Sequence, residues 1–453
     1  MTSRQTLALL RQFESRNVTH IEPDGSWPIV WQRARGVHVW DVEGRKYLDL
    51  TAAFGVMAAG HANPRVVRAG QRQMARLLHA MGDVHPHAGK AQLARELSRL
   101  TFEQWSGGPL KRSSVEALKR GSLQRFNASA LHRGKTIFCN SGFEAVEAAL
   151  KTALLATGRH GIIAFEGGYH GVGYGALNAT HREHFRGPFR AQLGRFGHFV
   201  PFPDSQGGLA RVDKGLHTLF HRHRIGAILV EPVQGRAGIR VPPLGFLSLL
   251  RAWCDRHKAL LVLDEIYTGL GRTGRWFACE HSGVAPDLIC LGKALAGGFP
   301  LSACVGRAEL MDAAWPESGG EAIHTSTFLG HPVGCAMALA QISELRRLKL
   351  VERSARLGRS LLDDLKSQIS NLKSQITARG LGLMAGLELR HLDGSPATAE
   401  ALSVVKRLLR RGFIVLPEGE HANVISFTPP LTITEANLHA AVRALGEELR
   451  RLA

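Results

Sequence analysis

No uninterrupted apolar run in the 453-residue chain approaches the ~18 residues that a membrane-spanning helix requires. The segment Met1 to Asn17 is broken by Arg4, Arg11, Glu14 and Arg16 where a secretory signal needs an apolar stretch, so a soluble, unprocessed protein is expected. Cysteine is scarce: Cys139, Cys254, Cys279, Cys290, Cys304 and Cys335 never form a C-x-x-C pair and are scattered through apolar segments. That spacing argues against a zinc ribbon or a disulfide scaffold; no metal is expected, and a reducing cytoplasm is favoured. Low-complexity tracts are missing too, and 44% apolar with 21% charged residues is ordinary globular usage that can bury a large core. The marked deficit is in acid, since 57 Lys and Arg against 38 Asp and Glu leave a net charge of +19. Such an excess suits a nucleic-acid surface, a membrane surface, or a potential that gathers anionic metabolites. No helix-turn-helix, zinc or single-strand stacking pattern accompanies it, so neither nucleic acid nor membrane is the expected partner.

The length is that of two or three domains. Through the middle, short apolar runs bounded by Gly, Pro or Asp recur at Lys135 to Asn140, Gly161 to Phe165, Ile225 to Val230, Ala259 to Leu263 and Leu288 to Leu291, alternating with helix-like stretches. This pattern predicts an α/β fold, with a mostly parallel sheet covered by helices on both faces. Ligands of such sheets sit beyond the carboxyl ends of the strands, where these runs give way to polar and glycine clusters. Leu7 to Leu50 reads as a helix followed by strands near Val37 to Trp40 and Tyr47 to Leu50, and the chain closes on an amphipathic helix carrying Val442, Leu445, Leu449 and Leu452. Residues 1–60 and 334–453 are therefore expected to build one smaller α+β domain beside a large domain over 61–333. Two stretches look inserted. A basic one within about 103–133, densest from Lys111 to Arg133, reads as an exposed loop, and Lys366-Ser-Gln-Ile369, repeated as Lys373-Ser-Gln-Ile376, reads as added helical turns.

Candidate chemistry gathers at the strand ends. Lys293 follows Leu288-Ile-Cys-Leu-Gly and precedes a flexible Gly pair; a lysine desolvated there has a lowered pKa and can form imines. Asp264, at the end of Leu261-Val-Leu, is a carboxylate that burial obliges to find a cationic partner, either the protonated ring nitrogen of a pyridine cofactor or Arg272 in the following turn. Ser141 and Glu144 fit a capping box at the start of a helix whose free N–H groups can hold a phosphate. Phe165-Glu-Gly-Gly-Tyr169-His170-Gly171 offers flat rings on a glycine loop, either to stack on a planar ligand or simply to pack. Glu231-Pro-Val-Gln-Gly-Arg236 adds a carboxylate and a guanidinium, and His324-Thr-Ser-Thr327 supplies hydroxyls or a turn.

In this order, the motifs resemble those of the class III pyridoxal-phosphate aminotransferases, a fold-type I family that includes ornithine, acetylornithine and 4-aminobutyrate transaminases. The similarity runs from about Trp27 to the C-terminus, through Val39-Trp-Asp-Val-Glu-Gly-Arg-Lys-Tyr-Leu-Asp49 and Gly60-His-Ala-Asn-Pro64, and is most specific in Asp264-Glu-Ile-Tyr-Thr-Gly-Leu-Gly-Arg-Thr-Gly274 followed by Lys293. The resemblance implies pyridoxal 5'-phosphate as cofactor and amino transfer from an amino acid, ω-amino acid or diamine to a 2-oxo acid; another reaction on the same scaffold, an aminomutase, racemase or decarboxylase, is the alternative. It assigns Lys293 the Schiff base and proton shuttle, Asp264 the pyridine nitrogen, Ser141, Gly142 and Phe143 the phosphate, and Tyr169 and His170 the surroundings of the ring. Glu231 and Tyr267 join the cofactor site, Tyr267 where many members carry Gln. Thr327 is assigned to the phosphate of a neighbouring subunit, which implies a homodimer with shared sites. Phe54 and Arg236 are expected near the substrate. Two departures concern the carboxylate switch of the family: Arg236 stands in place of its Glu, and Ser426 of Ser426-Phe-Thr-Pro429-Pro430-Leu431 stands in place of its Arg.

Overall fold

The computed structural model describes residues 1–106, 133–370 and 375–452. In chain order its strands are β1 Trp31–Arg35, β2 His38–Asp41, β3 Lys46–Asp49, β4 Gly134–Cys139, β5 Gly161–Phe165, β6 Gly197–Val200, β7 Ile225–Val230, β8 Leu260–Asp264, β9 Leu288–Leu291, β10 Ser302–Arg307, β11 Gln375–Gly380, β12 Ala385–Arg390, β13 Phe413–Ile414, β14 Leu416–Glu418 and β15 Val424–Phe427. Seven of them form a central sheet in the order β4-β10-β9-β8-β7-β5-β6. Only β10 runs against its neighbours; β9, β8, β7, β5 and β6 are parallel. The protein is thus an α/β fold with a mostly parallel sheet. Strands β7, β8 and β9 are apolar almost throughout because both faces are covered, and every residue of the three is buried. Helices Gly142–Thr157, Gln206–Arg222 and Phe246–His257 make the crossovers, and the first ends where Gly158 takes the left-handed conformation that stops a helix.

Two further four-stranded sheets use the chain ends. β1, β2 and β3 form an antiparallel meander to which β13 adds in parallel, with Phe413 beside Leu48, so residues some 360 positions apart share one sheet. The other, β11-β12-β15-β14, is antiparallel. Of the closing helix, Glu435–Arg450, Val442, Leu445 and Leu449 are buried as the periodicity predicts, whereas Leu452 lies beyond its end and is exposed. All six cysteines are buried and free. No helix among the described residues is long and apolar enough to cross a membrane.

The expectation for the repeated tetrapeptide needs correction. Lys366–Ile369 closes the helix Leu350–Ile369, but Gln375 and Ile376 of the second copy open β11, opposite Arg390 and Leu389. The register with β12 overrides the local preference, since strand pairing depends on tertiary neighbours more than on the four residues themselves. The basic stretch, apart from its margins, falls outside the described residues.

Candidate active site

The carboxyl ends of β4, β5, β7, β8 and β9 lie along one edge of the central sheet, and each delivers a residue singled out in the sequence. β8 ends at Asp264, which is buried, and its Oδ2 lies 2.8 Å from Nδ1 of His170, also buried, from the loop after β5. Asp264 Oδ1 accepts from the Ile266 N–H at 3.1 Å. The alternative partner, Arg272, is elsewhere: its buried guanidinium donates to the carbonyls of Leu383, at 3.0 Å, and Pro429. Glu265, adjacent in sequence, turns the other way and is saturated by Thr268 Oγ1 and the N–H groups of Ala278 and Cys279, so it is structural. His170 is itself held by its N–H, which donates to Thr180 Oγ1 at 2.9 Å.

Lys293 follows β9 on a short 3₁₀ turn with φ of 38°, a left-handed conformation that costs a non-glycine residue about 1–2 kcal/mol. Its ammonium makes no hydrogen bond or ion pair among the described residues and lies 4.6 Å from the ring centroid of Tyr267. Burial pulls its pKa down, against the opposing pull of Asp264 and Glu231, which raises the share of neutral amine. Tyr267 is pressed between two backbones. A Cβ at Gly55 would come within 2.5 Å of its Cε2 and one at Gly235 within 2.3 Å of its Cδ1, so both glycines are required by the ring. The Tyr267 hydroxyl pairs with Thr428 Oγ1 at 3.1 Å, and burial pushes its pKa up to about 12.

Glu231, just past β7, accepts from the N–H of Tyr169 at 3.0 Å and of Gly235 at 3.0 Å, tying the aromatic loop to its own. Burial pushes its pKa up. Ser141 caps the helix Gly142–Thr157 after β4. Glu144 closes its half of the capping box on the N–H groups of Asn140 and Ser141, at 2.7 and 2.8 Å, whereas Ser141 Oγ is buried without a partner. Ser302 Oγ of β10 donates to the Ser141 carbonyl at 2.6 Å and fixes this turn. Phe143 explains itself through its neighbours: its side chain packs where Cβ atoms at Gly171 and Gly173, in the loop after Tyr169, would stand.

Thr327 and Phe54 sit apart from this cluster, and Arg236 stands at its edge. Thr327 lies in an exposed turn and makes no side-chain hydrogen bond to the cluster. Phe54, half exposed, sits in a run from Ala52 to Gly55 with every φ positive, a strained turn braced by Asp49, which accepts from Thr51 and Ala53 and pairs with His61 at 2.7 Å. Arg236 is 36% exposed; its guanidinium lies 5.4 Å from the Tyr169 ring centroid, and Nε stands 3.7 Å from the carboxylate of Glu418, which is 3% exposed. Glu418 and its neighbour Arg182 were not legible in the sequence. Nothing in Leu416-Pro-Glu418 marks a site; only the β14–β15 pairing, with Gly419 N–H donating to the Arg236 carbonyl at 3.1 Å, sets the acid there.

Comparison with known proteins agrees with this geometry. Residues 21–449 match the family described as aminotransferase class-III. The acetylornithine aminotransferase of Methanopyrus kandleri is 36% identical over 431 residues, 95% of this chain and 97% of its own. The 5-aminovalerate aminotransferase DavT of Pseudomonas aeruginosa is 36% identical over 442 residues, 94% of each. Among solved structures, the ornithine aminotransferase of Toxoplasma gondii ME49 superposes over all of this chain and 96% of its own, with a TM-score of 0.81 and 27% identity. An edge that gathers an unpartnered lysine, a carboxylate–imidazole pair and an open helix start, in a chain aligned end to end with such enzymes, places this protein in the class-III aminotransferases, a family of pyridoxal-phosphate-dependent enzymes.

Proposed function

We propose that this aminotransferase holds pyridoxal 5'-phosphate at the sheet edge and transfers an amino group from an amino acid, ω-amino acid or diamine to a 2-oxo acid, in two half-reactions through one pocket. The observation that carries the reading is the convergence of the free Lys293 ammonium, the Asp264–His170 pair and the unsatisfied Ser141 Oγ. These residues fit the cofactor. A buried hydroxyl without a partner, beside first-turn N–H groups that lack intrahelical acceptors, suits a phosphate. Ser141 Oγ and the N–H groups of Gly142 and Phe143 would hold the phosphate. Asp264, with His170 holding its carboxylate in place, would hold a proton on the cofactor's ring nitrogen; Tyr169, whose N–H is anchored by Glu231, and Tyr267 would flank the ring. When bound, the cofactor supplies a carbon to which amines add and a ring that withdraws electrons. Lys293 accepts and returns the proton at its Nζ, a task helped by its lowered pKa. Arg236 grips a carboxylate of the oxo acid through its guanidinium, and Phe54 borders the substrate.

We further propose a homodimer in the cytoplasm, with Thr327 serving the partner's phosphate. Met74, Leu77, Leu78, Met81 and Val84 are exposed on one stretch, and the turn that carries Thr327 lies against it: Thr325 Oγ1 donates to Asp83, and Phe328 packs on His79, with ring centroids 5.3 Å apart. A contiguous apolar patch of this kind suits a second copy. Two experiments test these readings. Amino transfer to an added 2-oxo acid, with the new amino acid appearing in step with donor loss, distinguishes transamination from mutase, racemase or decarboxylase action; donor loss without a new amino acid refutes it. Co-expression of Lys293→Ala chains with Thr327→Asp chains should restore one competent site per heterodimer, since one of the two sites then carries neither lesion. Proven heterodimers with no recovered activity would rule out shared sites.

A further inference from the structure

The hydroxyl of Tyr267 is engaged inside the protein. Thr428 Oγ1 donates to the Thr51 carbonyl at 3.1 Å, and with its single proton committed there it accepts from the Tyr267 hydroxyl, also at 3.1 Å. Thr51 is fixed in turn by Asp49, whose Oδ1 accepts from the Thr51 N–H at 2.8 Å and Oγ1 at 2.6 Å, while Oδ2 pairs with His61. Thr428, Thr51, Asp49 and His61 are all buried, so this chain of bonds is shielded from water. The ring cannot turn either. Gly55 backs its Cδ2–Cε2 edge and Gly235 its Cδ1–Cε1 edge, each so closely that a Cβ would collide. With both edges held, the ring presents a face to the Lys293 ammonium, 4.6 Å from the centroid. An ammonium buried without a hydrogen-bond or ion-pair partner among the described residues needs a compensating field, and the negative face of an aromatic ring supplies one.

We propose that Tyr267 is a positioning residue that acts through its ring face rather than its hydroxyl, holding the Lys293 ammonium in the site once Lys293 has taken the substrate's proton. The inference rests on the amino-transfer reading and gives a part in it to a ring that the reading only sets beside the cofactor. As Nζ takes the proton it gains the charge that the ring attracts, so the contact is stronger in the protonated state than in the neutral one and favours the transfer. The other charged groups that act on Nζ, namely Asp264, Glu231, Arg236 and Glu418, are the same in every variant below, so differences among the variants belong to position 267.

In the holoenzyme, the half-reaction with the fastest of L-ornithine, L-glutamate and 4-aminobutyrate is followed through the cofactor absorbance. Tyr267→Leu should lower the rate constant at saturating donor on the order of 30-fold, the equivalent of a desolvated cation–π contact, while the donor concentration for half-saturation moves less than about threefold. Tyr267→Phe, which keeps the ring and loses the hydroxyl, should lose no more than about threefold. Phenylalanines carrying successively more ring fluorines at position 267 keep the shape and weaken the negative face, and the rate should fall in that order. In the cofactor-free chain, the pH dependence of reductive methylation at Lys293, read by peptide mass, follows the amine directly. Loss of the ring withdraws support from the charged form, so Tyr267→Leu should move the midpoint down by about 1 to 1.5 pH units and Tyr267→Phe by less than about half a unit. A Tyr267→Phe enzyme as slow as Tyr267→Leu would give the role to the hydroxyl, and a flat fluorine series or an unmoved midpoint in Tyr267→Leu would leave the ring as packing; each overturns the proposal. A wild type that reacts with no amine or amino acid would instead strike the amino-transfer reading beneath it, and the cofactor-free titration would still decide the ring contact.

Discussion

Lys293→Ala should lower amino transfer by roughly 10⁴-fold or more, because one side chain carries both the covalent and the proton-transfer role and general acid–base catalysis alone is worth up to about 10⁴. Among the described residues it is the Lys293 ammonium that faces the Tyr267 ring and responds to Asp264 and Glu231. The fold should tolerate the change, since the ammonium has no hydrogen-bond or ion-pair partner to lose among the described residues. Turnover and the visible absorbance of the bound cofactor report on the two roles separately. Both should fall; turnover within tenfold of wild type would remove Lys293 from the mechanism.

Asp264→Asn should cost roughly 10² to 10³ in turnover, the usual loss when one preorganised electrostatic contact to the reacting system is deleted. Its shape is preserved, the amide oxygen can still accept from His170 or the Ile266 N–H, and no buried ion pair other than that with His170 is broken. Thermal unfolding should therefore move little while activity drops. A variant that turns over normally would show that Asp264 only orients His170, and a variant that fails to fold would show that the pair is chiefly structural.

What could be read from the chain alone followed a physical rule. Strands buried on both faces announce themselves as unbroken apolar runs, which is why β5, β7, β8 and β9 are legible within a residue or two of where they lie; β4, an edge strand whose first residues are only partly buried, is legible from its apolar close Ile137-Phe-Cys139. β6 and β10 were not expected. Gly197–Val200 is a short edge strand that is only half buried, and Ser302–Arg307 is built of Ser, Ala, Cys, Val and Gly, with little β-branched bulk to mark it. The same division holds at the site. Asp264, Lys293, Ser141, Tyr169 and Glu231 are legible because each closes its strand or lies within four residues of its end. Arg182 and Glu418 depend on a helix-poor loop and a distant hairpin meeting across the sheet edge, contacts that no local window contains.

The six cysteines acquire a use from their burial. Cys139, Cys290 and Cys304 lie on adjoining strands β4, β9 and β10, Cys254 is inside a helix packed on the sheet and Cys335 inside a helix packed on other helices; burial pushes the Cys254 and Cys335 thiols up to about 12 and those of Cys139 and Cys279 upward, and a hydrogen bond with Cys304, then burial, raises that of Cys290. An alkylating reagent needs a thiolate within reach, and the closed molecule presents none. Labelling then waits on excursions in which the layers part, and its rate at high reagent concentration counts those excursions. Because the thiols are spread over the central sheet and its helices, identifying which one is tagged first would tell where this enzyme begins to come apart.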